Sequence, residues 1–482
     1  MVIALDIGTS SARAGLYDVA GRAVADRFHQ VRYEPRVTAD GGVEHDPVEL
    51  LEAVAGCVDA VTEHARRDGE IVGVGVTTFW HGLLGFDAGG HPATPIYMWA
   101  DSRAAREAAV LRKTLDEAAL HARTGCHLHS SYWPARLRWL AREQPAVVHR
   151  VARWGSFGEY LELQLFGETA TTLSMASGTG LFDLRARRWD AEALAAARVE
   201  PTRLFDVVDR TQARRRLRAP WAGRWPTLRG VPWFPAIGDG AASNVGSDCV
   251  TPDRIALNVG TSAALRLVPG PSVLPPRGLW RYAVDGHMPL LGGATSEGGN
   301  VLVWCRSVLR LPDDDAALET ALASRDPDAH GLTVLPFLAG ERAPGWRGDK
   351  RAVIAGLSLH TEPLDIAQAA LESVALRLAT VYALLAPHAA AEHVIVASGG
   401  GVTRSRTWSR MLADALGHTI AWSHEAEATS RGAALLALDA LGARALLGAA
   451  SAPLDDQFVP DPERHARYVA ARERQAALDL KV

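Results

Sequence analysis

At 482 residues the chain exceeds what one hydrophobic core accommodates, and its 48% hydrophobic and 22% charged content is that of an ordinary globular protein, here expected in two domains. A net charge of −4 leaves no basic footprint for nucleic acid or an anionic membrane, so neither is expected as a partner. The four cysteines (Cys57, Cys126, Cys249, Cys305) lack C-x-x-C spacing and read as buried free thiols in a reducing compartment; with no apolar leader and no uncharged run of membrane-spanning length, a cytoplasmic location is expected.

The first element is a β-prone run, Ile3-Ala4-Leu5-Asp6-Ile7, followed by Gly8-Thr9-Ser10-Ser11 and a second run from Ala12 to Tyr17. This predicts two antiparallel strands joined by a tight turn, whose N–H groups and hydroxyls converge as in an anion-binding nest. Such a turn by itself ordinarily only connects strands. Asp46-Pro47 then supplies an N-cap and a first-turn proline for a helix to Arg67, with Leu50, Val54, Val58 and Val61 on one face. Ile71 to Thr77 reads as a buried strand that ends in Thr78-Phe79-Trp80-His81-Gly82, and strand ends of this kind are where open α/β sheets bind ligands. An ordinary aromatic cluster with one satisfied histidine explains Trp80 and His81 equally well.

Pro95 to Trp99 reads as a strand, and Ala100-Asp101-Ser102-Arg103 as the start of a helix to about Arg123, with Asp101 and Ser102 as caps in the simplest view. Helices are predicted from Tyr132-Trp133-Pro134 and from Ser156 to Phe166, a small-residue loop over 174–180, and at most short helices over 186–232. Phe234 to Ser243 places Asp239 between Gly238 and Gly240, ahead of a small-residue helix. In isolation this is a turn aspartate.

The opening pattern returns at the midpoint as Ile255-Ala256-Leu257-Asn258-Val259-Gly260-Thr261-Ser262-Ala263. Two copies, each opening one half of the chain, argue for two related lobes whose turns share a ligand. Asp6 in the first copy is Asn258 in the second. A carboxylate at this strand end suits a hydrated Mg²⁺, whereas a second one facing a polyphosphate would repel it. Lysine occurs only at Lys113, Lys350 and Lys481, none of them in a P-loop or protein-kinase pattern, so phosphate chemistry here must use loops, Mg²⁺ and arginine. Further on, apolar residues from Leu364 to Leu385 recur at three and four residues, predicting one long core helix. His393 to Gly401 reads as a strand and glycine turn before a helix over 404–416. It lacks the spacing of a dinucleotide site and leaves a flat glycine platform for an adenosine.

These residues resemble the FGGY family of carbohydrate kinases, in the actin/hexokinase-like ATPase superfamily, over the whole length. The most specific piece is Gly356-Leu357, Asp365-Ile366 and Ala369-Ala370-Leu371-Glu372; Asp6 to Arg13, Glu44 to Pro47, Trp99 to Arg103, Gly340 to Pro344 and Gly399 to Gly401 support it. Arg136 stands where the family usually has lysine, and His45 where glutamine is common; neither departure is expected to touch a residue on which catalysis depends. The resemblance implies an α/β fold of two ribonuclease H-like lobes around a cleft: residues 1–232 as the sugar-binding lobe and 233–482 as the ATP-binding lobe with the catalytic base.

Carried over, Asp239 is the base, and Asp6 and Asp239 lie near Mg²⁺ through water. Thr9, Ser10, Ser11 and Arg13 form one ATP phosphate loop, Gly260, Thr261 and Ser262 the other, and Gly400 and Gly401 the adenosine loop. Trp80, His81, Trp99, Asp101 and Gly240 are the acceptor-binding set. Ser156-x-x-Glu159-Tyr160 and Ala176-Ser177-x-Thr179-Gly180-Leu181-Phe182-Asp183 are similar to the gluconokinase branch. The implied reaction is ATP- and Mg²⁺-dependent phosphorylation of D-gluconate, with D-xylulose as the alternative and, from another class, a chaperone-like actin-fold ATPase. The expected partner is a small sugar or sugar acid, and a homodimer is left open.

Overall fold

The first hairpin forms as its sequence requires: Val2–Ile7 pairs antiparallel with Ser11–Tyr17, which pairs in turn with Ala23–Arg32. In the computed structural model, which describes residues 1–63, 69–446 and 454–482, the chain divides into two units. Unit one comprises Met1–Val250, Trp280–Leu290 and Glu427–Ala450; unit two comprises Thr251–Leu279, Leu291–Ala426 and Ser451–Val482.

The central sheet of unit one has Gly73–Thr78 parallel to Val2–Ile7 on the inner side, and Ile237–Gly238 parallel to Gly73–Thr78 at the edge. Helix Pro47–Thr62 begins at Asp46, whose side chain accepts from the Val48 and Glu49 N–H groups, and buries Leu50, Val54, Val58 and Val61. Its sequence-predicted end at Arg67 lies outside the described residues. The helices Asp239–Gly246 and Ala428–Ala440 pack closely, and the approach demands glycine. A Cβ on Gly246 would lie 1.7 Å from the Ala428 carbonyl oxygen, and one on Gly432 1.8 Å from that of Ala242. Ala433, Ala434 and Leu438 of the second helix close over Val2, Ala4 and Tyr17 of the sheet.

The units therefore do not follow the 1–232/233–482 division read from the sequence. Ile237–Gly238 extends the first sheet, and the helices Asp239–Gly246 and Ala428–Ala440 belong to the same unit, because pairing and glycine contacts outweigh chain order.

Two local readings also differ. The helix expected from Ala100 to Arg123 is two, Ala105–Thr114 and Glu117–Thr124, because Asp116 accepts from the Ala119 N–H and starts a new helix at the break. The loop expected over 174–180 contains the short helix Leu173–Ser177, begun by Thr172 accepting from the Met175 N–H. All four cysteines are buried and free, as expected.

Unit two holds Pro289–Thr295 (through residues 291–295), Ala263–Leu267, Arg254–Val259, Val394–Ser398, Ile420–Ser423 and Leu454–Phe458 in that spatial order. Helix Pro363–Leu385 has the expected apolar stripe, with Ala367, Leu371, Val374, Leu378, Val381 and Leu385 buried. It is long and apolar enough in composition to cross a membrane, but most of that surface is covered within the fold. Glu341 beneath it is buried between Arg377 and Arg347, and Arg377 also reaches Asp479 of the C-terminal helix Pro462–Asp479.

Candidate active site

In unit one, Asp6 lies opposite Arg13 in the hairpin register, and Arg13 Nη1 donates to Asp6 Oδ2 at 2.8 Å. Burial pushes the Asp6 carboxyl up to about 6 against the pull of Arg13, and the negative charges of Asp239 and Glu427 push it the same way. The turn is braced from behind. The Gly8 N–H donates to Ser11 O at 2.9 Å, the Tyr33 hydroxyl to Gly8 O at 2.7 Å, and His45 Nε2 to Thr9 O at 2.9 Å. Ser10 is exposed and Thr9 half-buried; Ser11 is buried and accepts from Gln30 Nε2 at 2.9 Å.

Asp239 is the first residue of its helix, and its Oδ1 accepts from the Gly240 N–H at 2.7 Å. Trp80 is held by a hydrogen bond from Nε1 to Ser174 O at 3.0 Å and lies flat on the backbone before Asp239: a Cβ on Gly238 would stand 1.9 Å from the indole. His81 follows with φ of 68°, in the left-handed region, and its Nδ1 is 2.6 Å from Gly178 O. A carbonyl can only accept, so Nδ1 carries a proton in this hydrogen bond. Trp99 Nε1 donates to Thr9 Oγ1 at 3.2 Å, which ties this indole to the first hairpin turn. Asp101 is committed to Arg103, at 2.5 Å, and to the Val43 N–H; Arg103 also binds Glu44 at 2.6 Å.

In unit two the second hairpin repeats the first with a difference invisible in the aligned sequences. Its closing pair is Val259 with Ala263, where the first has Ile7 with Ala12, so its turn is one residue shorter. Asn258 consequently faces Ala264 and donates from Nδ2 to Ser398 Oγ at 3.2 Å. The Gly299 N–H donates to Gly260 O at 2.7 Å, and a Cβ on Gly299 would sit 2.9 Å from that oxygen. Gly399, with φ of 93°, and Gly401 press on Val259 O, where a Cβ would come within 2.6 and 2.8 Å. Nothing lies within 4 Å of a Cβ built on Gly260, and Thr261 is exposed, so this turn offers an open hydroxyl and backbone surface.

These donor sets fit the groups expected. Asp6 is a buried carboxyl hydrogen-bonded to Arg13 and under the negative charges of Asp239 and Glu427, a hard oxygen in an anionic setting that suits a hydrated Mg²⁺ held through water. The exposed residues Ser10 and Thr261, each on its own glycine-led turn, suit phosphate oxygens.

Sequence reasoning missed Glu427, whose Oε2 lies 3.9 Å from Arg13 Nε; the two are over 400 residues apart and no spacing connects them. It also set aside two residues that do touch the site. His45 holds the Thr9 carbonyl, and Arg136 donates from Nη1 to His81 O at 2.6 Å. Their departure from the usual residues was the available signal.

Two family models match the chain: the N-terminal domain of the FGGY family of carbohydrate kinases over residues 1–246 and its C-terminal domain over 255–441. A gluconokinase of Bacillus subtilis (strain 168) is 28% identical over 454 residues, spanning 92% of this chain and 88% of the relative. A glycerol kinase of Leptothrix cholodnii is 31% identical over 461 residues, spanning 90% of each. Among solved structures, gluconate kinase from Lactobacillus acidophilus matches with a TM-score of 0.89 at 26% identity, and ligand-bound xylulose kinase from the same organism with 0.90 at 26%. Each match covers 99% of this chain and 97% of the other.

Proposed function

We propose that this chain, which belongs to the FGGY family of carbohydrate kinases and is an ATP-dependent carbohydrate kinase of two α/β domains, phosphorylates D-gluconate at its terminal C6 hydroxyl. The observation that carries the site is the convergence in one unit of Asp239, Asp6 and the Trp80–His81 pair. In this reading Asp239 accepts the proton of the attacking hydroxyl. Trp80 and His81 orient the acceptor. Thr9, Ser10 and Arg13 in unit one form one phosphate-binding turn, Gly260, Thr261 and Ser262 in unit two form another, and Gly400 and Gly401 take the adenosine. Asp6 and Asp239 would hold a Mg²⁺ through water, which would supply neutralisation of phosphate charge there. Ser11 and Asp101 stand behind this set, Ser11 on Gln30 and Asp101 on Arg103, as supports of the phosphate turn and the acceptor wall.

The choice of D-gluconate is supported by the gluconokinase relative and by the segments Ser156 to Tyr160 and Ala176 to Asp183. The xylulose kinase match supports D-xylulose as the second reading. The expected setting is a cytoplasmic enzyme with a small-molecule acceptor. A coupled ADP-release assay with D-gluconate, D-xylulose and glycerol tests the assignment. Highest kcat/KM on D-gluconate is expected, and a much higher value on another acceptor would replace the substrate while leaving the kinase in place. Equal ATP turnover with and without every acceptor would point instead to the actin-fold ATPase alternative.

A further inference from the structure

His81 is held in its left-handed backbone conformation by an unusual amount of buried hydrogen bonding. A non-glycine residue with positive φ is costly unless its surroundings fix it. Here the main fixture is Arg136, 1% exposed, whose guanidinium spans three backbone carbonyls. Nη1 donates to His81 O at 2.6 Å and to Tyr97 O at 3.2 Å, and Nε donates to Ser130 O at 2.9 Å. The ring is fixed separately. Tyr132 and Tyr282 stand edge-on to it with centroids at 5.1 and 5.5 Å, and their hydroxyls share a hydrogen bond of 2.6 Å. Tyr282 also stands edge-on to Trp80 at 4.9 Å, with Trp280 stacked behind it at 4.1 Å.

We infer that Arg136, with the Tyr132–Tyr282 hydroxyl pair, is the positioning device that sets His81 for the acceptor, so that acceptor selectivity is governed by residues that do not touch the acceptor. The inference rests on the reading above that His81 contacts the acceptor. Planar geometry is the reason arginine is needed. Three carbonyls are engaged from two nitrogens of one rigid fork, whereas a lysine ammonium at the end of a flexible stem is a single point that does not reproduce this spacing. The tyrosine pair acts on the ring and not on the backbone, so the two parts of the device are separable by mutation.

The test measures initial rates and calorimetric binding of an ATP analogue for Arg136→Lys, Tyr282→Phe and His81→Asn. Asparagine is chosen because it tolerates left-handed backbone. D-gluconate is the acceptor, or whichever of D-xylulose and glycerol is turned over. Arg136→Lys and Tyr282→Phe are each expected to raise the acceptor KM by roughly tenfold or more, with analogue affinity unchanged within about twofold. Combining either with His81→Asn is expected to add little to the effect of His81→Asn alone. An unchanged acceptor KM in Tyr282→Phe and in folded Arg136→Lys, while His81→Asn raises it, would overturn the positioning role alone. Should Arg136→Lys fail to fold, Tyr282→Phe, which keeps the ring and removes only the hydroxyl bond, decides by itself. An unchanged KM in His81→Asn would instead overturn the reading on which the inference depends.

Discussion

Asp239 and Asp6 are both aspartates at element ends, yet their surroundings divide their work. Asp239 opens a helix, accepts the Gly240 N–H on Oδ1 and lies beside the Trp80 indole, where an acceptor hydroxyl would be oriented. Asp6 is buried against Arg13. Asp239→Asn keeps the shape but cannot take up a proton, so turnover should fall by roughly 10²–10⁴ with calorimetric ATP affinity nearly unchanged. Near wild-type turnover in the purified variant would remove Asp239 from the mechanism. A different carboxyl, Glu162, reports on stability alone. Burial pushes it up to about 7 from an ordinary value of 4.5, while hydrogen bonds from Thr169 and the Ala170 N–H pull the other way. Because its folded value is raised, its stabilising contribution is complete below about pH 4.5 and is lost as pH rises through 7. Glu162→Gln should therefore raise the melting temperature at pH 8 relative to wild type, reflecting at most roughly 3 kcal/mol, and change it little at pH 4.5. An equal shift at both pH values would show that the carboxyl does not titrate in this range.

The second hairpin carries the corresponding argument at the level of elements. Thr261 is exposed on a turn whose backbone is anchored elsewhere, through Gly260 O to Gly299 and Thr261 O to Asn300. Thr261→Val should therefore leave the turn intact and, on the proposed role of Thr261 in phosphate binding, weaken ATP by roughly tenfold through loss of one hydroxyl. Unaltered ATP affinity by calorimetry, with unaltered turnover, would leave this hairpin as a structural echo of the first. The existence of both hairpins was legible because strand, turn and strand are local and the motif is duplicated. The one-residue difference in turn length was not, since identical Gly-Thr-Ser letters close differently according to what packs beneath them. The long helix over 363–385 was equally legible from its periodic stripe, whereas the break at Asp116 rests on a single N-cap aspartate after Thr114, a local signal that the flanking helix formers outweighed in the reading. Site residues inside motifs could be named in advance. Glu427 and the partners of His81 could not, because they come from segments far apart in the chain that only the fold brings to Arg13 and His81.

At the scale of the whole chain, order along the sequence and membership of a unit part company. The helix Ala428–Ala440 lies in the chain between two strands of unit two, Ile420–Ser423 and Leu454–Phe458, but completes unit one, where it buries Ala433, Ala434 and Leu438 against Val2, Ala4 and Tyr17 and meets Asp239–Gly246 through Gly432 and Gly246. Its Arg431 also pairs with Asp248 at 3.1 Å. The C-terminal helix Pro462–Asp479 belongs to unit two, with Tyr468 donating to buried Glu372 at 3.1 Å and Asp479 facing Arg377 and Arg347. Two truncations should then have distinct footprints in hydrogen exchange. A chain ended after residue 460 should lose protection in Pro363–Leu385 and keep it in Val2–Ile7 and Gly73–Thr78. One ended after residue 426 should lose it in both units, because the sheet of the first is left with a bare apolar face. Full protection of Val2–Ile7 in the shorter chain would mean that the first unit is stable without residues 428–440, and that the interdigitated glycine contacts are incidental to its folding.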